Sequence, residues 1–294
     1  MQINKFLGLL LLLLINAVFL CDLIAEESID YYSPENVLKF ADYLFAQGDY
    51  LRAVGEYQRY MFIQPKDNEM IQYRIAVCYR LGGKTEQAIL TFRKLLNETS
   101  DSKTVSAVYY QIGVSYFLMQ QFRESIKFLD TSLPLMSDDQ FRIESQQLIG
   151  LSYLMNRDWR SAEKIFNELK ETDILEARQK AIVYSEYANK GANLPNRSPI
   201  LAGFLSTIVP GAGRLYTGRF GDAVTSIITV GITGWQAYDG FNKDGLSSAK
   251  GWTLGTLCGI FYAGNIYGSV ISARVYNRHV ADEFLTTLSI EFPY

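Results

Sequence analysis

The stretch FADYLFAQGDYLRAVGEYQRYMFIQP, residues 40–65, decides the fold. Phe40, Ala41 and Leu44 recur at helical spacing, Gly48-Asp49-Tyr50 interrupts the pattern, and Ala53 and Tyr57 resume it before Pro65. Apolar residues three and four apart mark one face of a helix, and a glycine between two such runs marks a reversal. The stretch reads as two antiparallel helices. Ala41 and Ala53, 12 residues apart, are the small side chains that let the two helices cross closely.

The pattern returns three times. Ile75, Ala76 and Tyr79 precede Ala88 and Phe92; Ile112, Gly113 and Tyr116 precede Ser125 and Leu129; Ile149, Gly150 and Tyr153 precede Ala162 and Phe166. Each pair of small residues is again 12 apart, with Gly150 set against Ala162, and the units follow one another every 35 to 37 residues. A fixed period of this length signals helix pairs stacked in an array, each burying its apolar face on the next. Reversals fall at 47–50, 81–84, 119–122 and 155–159, an amphipathic segment from Ile174 to Lys190 caps the last pair, and Gly191 to Pro199 reads as a linker.

On these residues, from about Pro34 to Asp173, the chain resembles tetratricopeptide-repeat proteins. The first unit carries the family's terminal proline as Pro65, whereas Ser125 stands for alanine in the third and the later units lack the proline. The resemblance implies an α-solenoid over residues 26–190. Its inner surface, lined by the first helix of each pair, would bind peptides or protein partners. By their place in the pattern, Asp42, Phe45, Tyr73, Arg80, Tyr110, Phe117 and Gln147 are expected on that surface, with Arg80 as its obvious cation.

Composition limits the chemistry. The 294 residues are 48% hydrophobic and 20% charged with a formal net charge of −3, so no bulk positive charge points to nucleic acid. One histidine and three cysteines leave a His-rich or four-cysteine metal site without ligands, and His279 alone for a Ser-His-Asp arrangement. No catalytic residue, metal or cofactor is expected. Charge is also unevenly spread: residues 200–294 hold only Arg214, Arg219, Lys243, Lys250, Arg274 and Arg278 against Asp222, Asp239, Asp244, Asp282, Glu283 and Glu291. That contrast reads as a soluble array followed by a membrane part.

At the other end, Lys5 precedes the uncharged run Phe6 to Leu20, and Ala25 offers a cleavage point before Glu26. The run is shorter than the roughly 20 residues of a span, so residues 1–25 read as a cleaved export signal. Cys21 raises a lipoprotein reading, which Leu20 before it disfavours. With the signal removed, Cys78 and Cys258 remain, and the fold does not rely on disulfides.

In the C-terminal part, Ile200 to Val209 reads as a short interfacial or re-entrant helix. Phe220 to Phe241 and Gly251 to Ala273 read as a transmembrane helical hairpin, giving a membrane domain at 200–279 and a tail at 280–294. Gly251, Gly255 and Gly259 share one helix face, with Gly264 and Gly268 continuing the habit, a spacing that lets helices pack closely in lipid and even associate between copies. Asn265 is expected to bond to a neighbouring helix. Gly213 and Gly218 have the spacing of a phosphate loop, but Arg219-Phe220 replaces the required Lys-Ser/Thr. Pro210, Gly211, Gly213, Tyr216, Gly218 and Asp222, with Gly264, Asn265, Tyr267 and Gly268 further on, resemble the C-terminal module of bacterial envelope repeat proteins. Some of these are fused to YidD-type membrane-protein insertion efficiency factors, a part this chain lacks.

The expected fold class is thus all-α, a tetratricopeptide-like solenoid followed by a membrane hairpin. The expected function is a non-enzymatic scaffold for protein partners, anchored in the bacterial inner membrane with its repeats in the periplasm. Two rivals are a client-binding component of envelope or outer-membrane protein assembly and a small oligomeric pore. The four arginines flanking the hairpin pull the orientation the other way.

Overall fold

The computed structural model describes residues 30–66 and 68–290. The export-signal and Cys21 readings lie outside these residues. Every regular element among them is helical. They form two compact units, one ending at Ser115 and one beginning at Tyr116.

In the first unit, α1 (Pro34–Ala46) starts where the Ser33 hydroxyl accepts the Asn36 amide and Pro34 sets the first-turn φ. It buries Val37, Ala41 and Leu44, and α2 (Tyr50–Ile63) buries Ala53, Val54 and Tyr57. Ala41, Ala53 and Tyr57 are all wholly buried, as the pattern of the first unit requires. α3 (Glu69–Leu81) and α4 (Thr85–Glu98) repeat the arrangement with Ala76, Ala88 and Phe92, also wholly buried. α5 (Ser102–Leu118) contains the boundary between the units.

The second unit continues with α6 (Phe122–Ser132), α7 (Asp139–Met155), α8 (Trp159–Leu169) and α9 (Leu175–Ala192). Asp138 caps α7 by accepting the amides of Gln140 and Phe141. Ala162 is buried, but the space in front of Gly150 belongs to the Phe166 ring one turn further on, whose Cζ lies 2.6 Å from where a Cβ would stand.

One backbone device ends the first helix of every pair. Gly48, Gly83, Gln120 and Arg157, spaced 35 to 37 residues apart, all adopt positive φ, from 59° to 78°. At each, that residue's amide and the next one's reach back to carbonyls of the last helical turn: Asp49 to Leu44, Lys84 to Tyr79, Gln121 to Tyr116 and Asp158 to Tyr153. This is the Schellman closure, which glycine adopts without strain. Gln120 and Arg157 hold the same conformation at a cost of about 1 kcal/mol each.

The C-terminal elements are α10 (Pro199–Ile208), the short α11 (Ala212–Tyr216), α12 (Phe220–Asp244) and α13 (Ala249–Thr286). The reversal recurs here: Gly218 has φ 81°, and Arg219 returns to the Arg214 carbonyl. α13 exceeds the expected span. Its 38 residues extend about 57 Å and run through positions read as a tail from 280. Among the described residues it is the one helix long and apolar enough to cross a membrane.

α12 lies along α13. A Cβ on Gly240 would stand 2.7 Å from the Gly251 nitrogen, the Phe241 ring covers Gly251, and Gly255 is in ordinary contact with Ala237. Gly259 and Gly264 have no neighbour within 4 Å of a Cβ position, so the glycine stripe is packed at Gly251, Gly255 and Gly268 and open between them.

Candidate functional site

The residues expected on the inner surface fall into different settings. Asp42 is engaged: the Tyr57 hydroxyl donates to its carboxylate at 2.6 Å, and Arg74 pairs with the same oxygen. Phe45 packs edge-on against Tyr50 with centroids 5.5 Å apart. Tyr73 lies edge-on to Phe92, and its hydroxyl accepts from Gln111 at 3.2 Å. Arg80 corrects the expectation of an available cation, because it is only 5% exposed and its Nε has no hydrogen-bond partner. Burial lowers its pKa, opposed by Tyr73, Tyr110 and Tyr50 nearby. In the second unit Phe117 is buried edge-on against Phe122, and Gln147 is half-buried.

The first unit therefore brings Tyr73, Arg80 and Tyr110 together and keeps Asp42 apart with Tyr57 and Arg74. Arg74 was not among the sequence candidates. Its place, 32 residues after Asp42 and close to one repeat, was the available signal.

Burial and the hydrogen bond to Asp42 push the Tyr57 phenol up to about 12 from 10.0. A raised folded-state pKa means that the stabilisation is intact below pH 10 and is lost as pH rises through about 12. Tyr57→Phe should cost about 1 kcal/mol at pH 7 and flatten the alkaline fall in the urea midpoint between pH 10 and 12. Burial also lifts Cys78 to about 12, so the comparison is best made in a Cys78→Ala background. An unchanged alkaline slope there would assign the titration elsewhere.

The predicted motif of the C-terminal part forms a buried polar knot. Asn265, 3% exposed, accepts the Gly211 amide at 2.9 Å and donates to the Ser206 carbonyl at 3.3 Å, as expected of a helix-bridging amide. The Ser206 hydroxyl takes the Gly213 amide at 3.0 Å and meets Ser269 at 2.7 Å, while Thr217 meets Ser272 at 2.6 Å. Gly211, at φ 88°, lies against the backbone of Ala223, and Gly268 leaves room for the Arg214 guanidinium, which bonds to the Asp222 carbonyl at 3.3 Å. Tyr216 accepts the Ser198 amide. Pro210 is half-buried before the turn, whereas Gly218 and Tyr267 are exposed.

These bonds fix the path of α10 and α11. Asn277 holds both the amide and the carbonyl of Arg197 at 2.7 and 2.9 Å, and Arg197 lies over the Tyr216 and Tyr276 rings. α10 then runs alongside α13 past Val270 to Asn265, and α11 returns to the level of Ser272. The segment read as a linker is thus tied down at its end. Beyond the apolar stretch, α13 joins the last helix pair: Arg157 pairs with Asp282, and Trp159 packs edge-on against Phe284 at 5.8 Å and covers Gly191.

The tetratricopeptide repeat family matches residues 71–102, essentially α3 and α4. Among solved structures, the chain is similar to the TPR-like repeats of a putative kinesin light chain from Podosopora anserina. Identity there is 16%, over 56% of this chain and 89% of that one, with a TM-score of 0.43. It is also similar to a tetratricopeptide repeat protein from Parabacteroides merdae, at 16% identity over 86% of this chain and 98% of that one, TM-score 0.43. A third likeness is the TPR2AB domain of yeast Sti1, solved with pHSP90, at 13% identity over 82% and 98%, TM-score 0.33. No curated protein matches the chain.

The class is accordingly an all-helical, TPR-like repeat protein. The family match ends before the C-terminal helices, and none of these likenesses supports their expected kinship with YidD-associated envelope modules.

Proposed function

We propose that this chain is a non-enzymatic scaffold whose repeats bind protein partners and whose C-terminal helices anchor it in a membrane. The anchoring is carried by one observation, the inverted polarity of the C-terminal helices. Their buried positions are small or polar, among them Ala202, Gly203, Ser206, Ala223, Ser226, Asn265, Ser269 and Ser272. Their large apolar side chains point outward, with Ile200 85%, Trp235 67% and Ile260 61% exposed. Only 11% of the most apolar window of α13 is buried. Water would penalise that arrangement, whereas lipid accepts it and leaves hydroxyls and amides to bond inside.

The uncharged stretch of α13 covers about 34 Å, enough for a hydrocarbon core of roughly 30 Å. α10 and α11 enter and leave on the side of Arg197 and Asn277, which is compatible with a re-entrant element. The apolar run at residues 6–20 supports export, so the reading sets the repeats in the periplasm of a bacterium. Partner binding rests on the repeat class, with the surface of the first helices around Tyr73 and Tyr110 as the proposed contact region.

Two measurements test the reading together. One sample of membranes carrying the chain is washed with alkaline carbonate, and in separate samples the repeats are exposed to protease in intact spheroplasts and in sealed inverted vesicles. Retention in the pellet with digestion in spheroplasts alone is the expected result. Release by carbonate would remove the anchor, and digestion in inverted vesicles alone would reverse the orientation.

A further inference from the structure

A cavity of about 340 Å³ lies between the start of α8, the end of α9 and the last turns of α13. Trp159 and Ala281 wall it, Asn196 and Asn277 supply amides, Arg157 and Arg278 supply charge, and no carboxylate lines it. Two of these polar groups are already engaged, Arg157 by Asp282 and Asn277 by the Arg197 backbone. Arg278 makes no ion pair among the described residues. Neither does Arg274, one turn earlier on the same face of α13, and both are exposed.

The depth of this cavity is set by the helix that lines it. Arg278 is five residues past Ala273, about 7.5 Å along the axis from the end of the uncharged stretch. If that stretch fills the hydrocarbon core, Arg278 lies in the headgroup layer, and Trp159 beside it has the amphipathic ring that favours the same layer. A guanidinium offers two parallel donors to phosphate oxygens. Val275, 54% exposed, lies between the two arginines in sequence, next to the end of the uncharged stretch.

We infer that the cavity at the α8–α9–α13 junction seats the phosphate of an anionic phospholipid, with Arg278 as its principal ligand and Arg274 guiding the headgroup. The inference rests on the membrane-anchored reading. It places the last helix pair against the lipid surface.

The full chain is purified in a neutral detergent and titrated with phosphatidylglycerol, phosphatidylcholine, glycerol 3-phosphate or inorganic phosphate, with bound lipid counted by native mass spectrometry. Phosphatidylglycerol is expected to bind with at least tenfold preference over phosphatidylcholine. Arg278→Gln should weaken it about tenfold, the loss of one charge-assisted hydrogen bond of about 1.4 kcal/mol, and Arg278→Lys should restore part of it. Lys250→Gln, at the other end of α13, should change nothing. Far-UV melting of each variant confirms that it folds.

Equal binding of the two lipids, or full binding by a folded Arg278→Gln, would overturn the headgroup assignment. Inorganic phosphate or glycerol 3-phosphate competing at the same concentration as the lipid would overturn it in favour of a soluble phosphate site. Carbonate release from membranes would defeat the anchor itself. A chain that needs detergent yet shows no lipid preference would defeat only the present inference.

Discussion

Gly213→Ala will unfold the C-terminal polar knot while the repeats stay folded. A Cβ at this position would overlap the Ala202 carbonyl oxygen and stand 2.6 Å from Ser206 Oγ and 2.7 Å from Ser269 Cβ. The first obstacle is backbone, so no rotamer change clears it. α10 would have to move off α13, breaking the Gly213 to Ser206 and Ser206 to Ser269 bonds and exposing the Gly211 amide bonded to Asn265. Overpacking costs about 1–3 kcal/mol, and each buried polar group left unpaired adds about 1–3 kcal/mol. A loss of at least about 4 kcal/mol is expected from these terms together. Limited proteolysis between residues 209 and 219 reads it directly. Gly221→Ala, where no atom lies within 4 Å of the new carbon, is the matched control and should be neutral or slightly stabilising. Wild-type resistance in Gly213→Ala would mean that α10 does not pack on α13 as described.

Phe166→Ala carries the largest effect expected within the second unit's helix pairs. The ring is wholly buried between Gly150 and Tyr184, whose ring centroid is 5.3 Å away. Removing it leaves a cavity that Gly150 has no side chain to fill, and truncations of this kind cost about 3–5 kcal/mol. Gly150→Ala alone should also destabilise, since its methyl would meet the ring. The double variant should lose less than the sum, because the methyl then occupies part of the vacated space. Hydrogen exchange across residues 139–192 measures all three. Strict additivity would show that the two positions do not share the contact.

The different fates of the sequence expectations have physical causes. Repeat phase and reversals were legible because each depends on local spacing, of small residues 12 apart in units that recur every 35 to 37 residues; that Gln120 and Arg157 take the left-handed conformation was not. Gly150 was recognised as a close-approach site, but spacing alone does not say which side chain fills the gap in front of it, and the Phe166 ring does so. Arg80 has the right register for an inner-surface cation, but register says nothing of the tyrosines that enclose it. Apolar periodicity is equally silent on which polar groups meet across helices, so Asp42 was expected without Arg74. The end of α13 was missed for another reason. Charge begins at Arg274, but charge ends only the apolar stretch; a helix stop needs glycine, proline or a cap, and residues 269–286 contain no glycine or proline.

That uninterrupted run has a mechanical consequence. From Ser269 to Thr286 the helix has no joint, and its last turns are clamped to Arg157 and Trp159 at the start of α8. The apolar segment and the final helix pair are therefore two ends of one lever. On the membrane-anchored reading proposed above, a change in the inclination of α13 would turn the helix pair clamped to its end as torque.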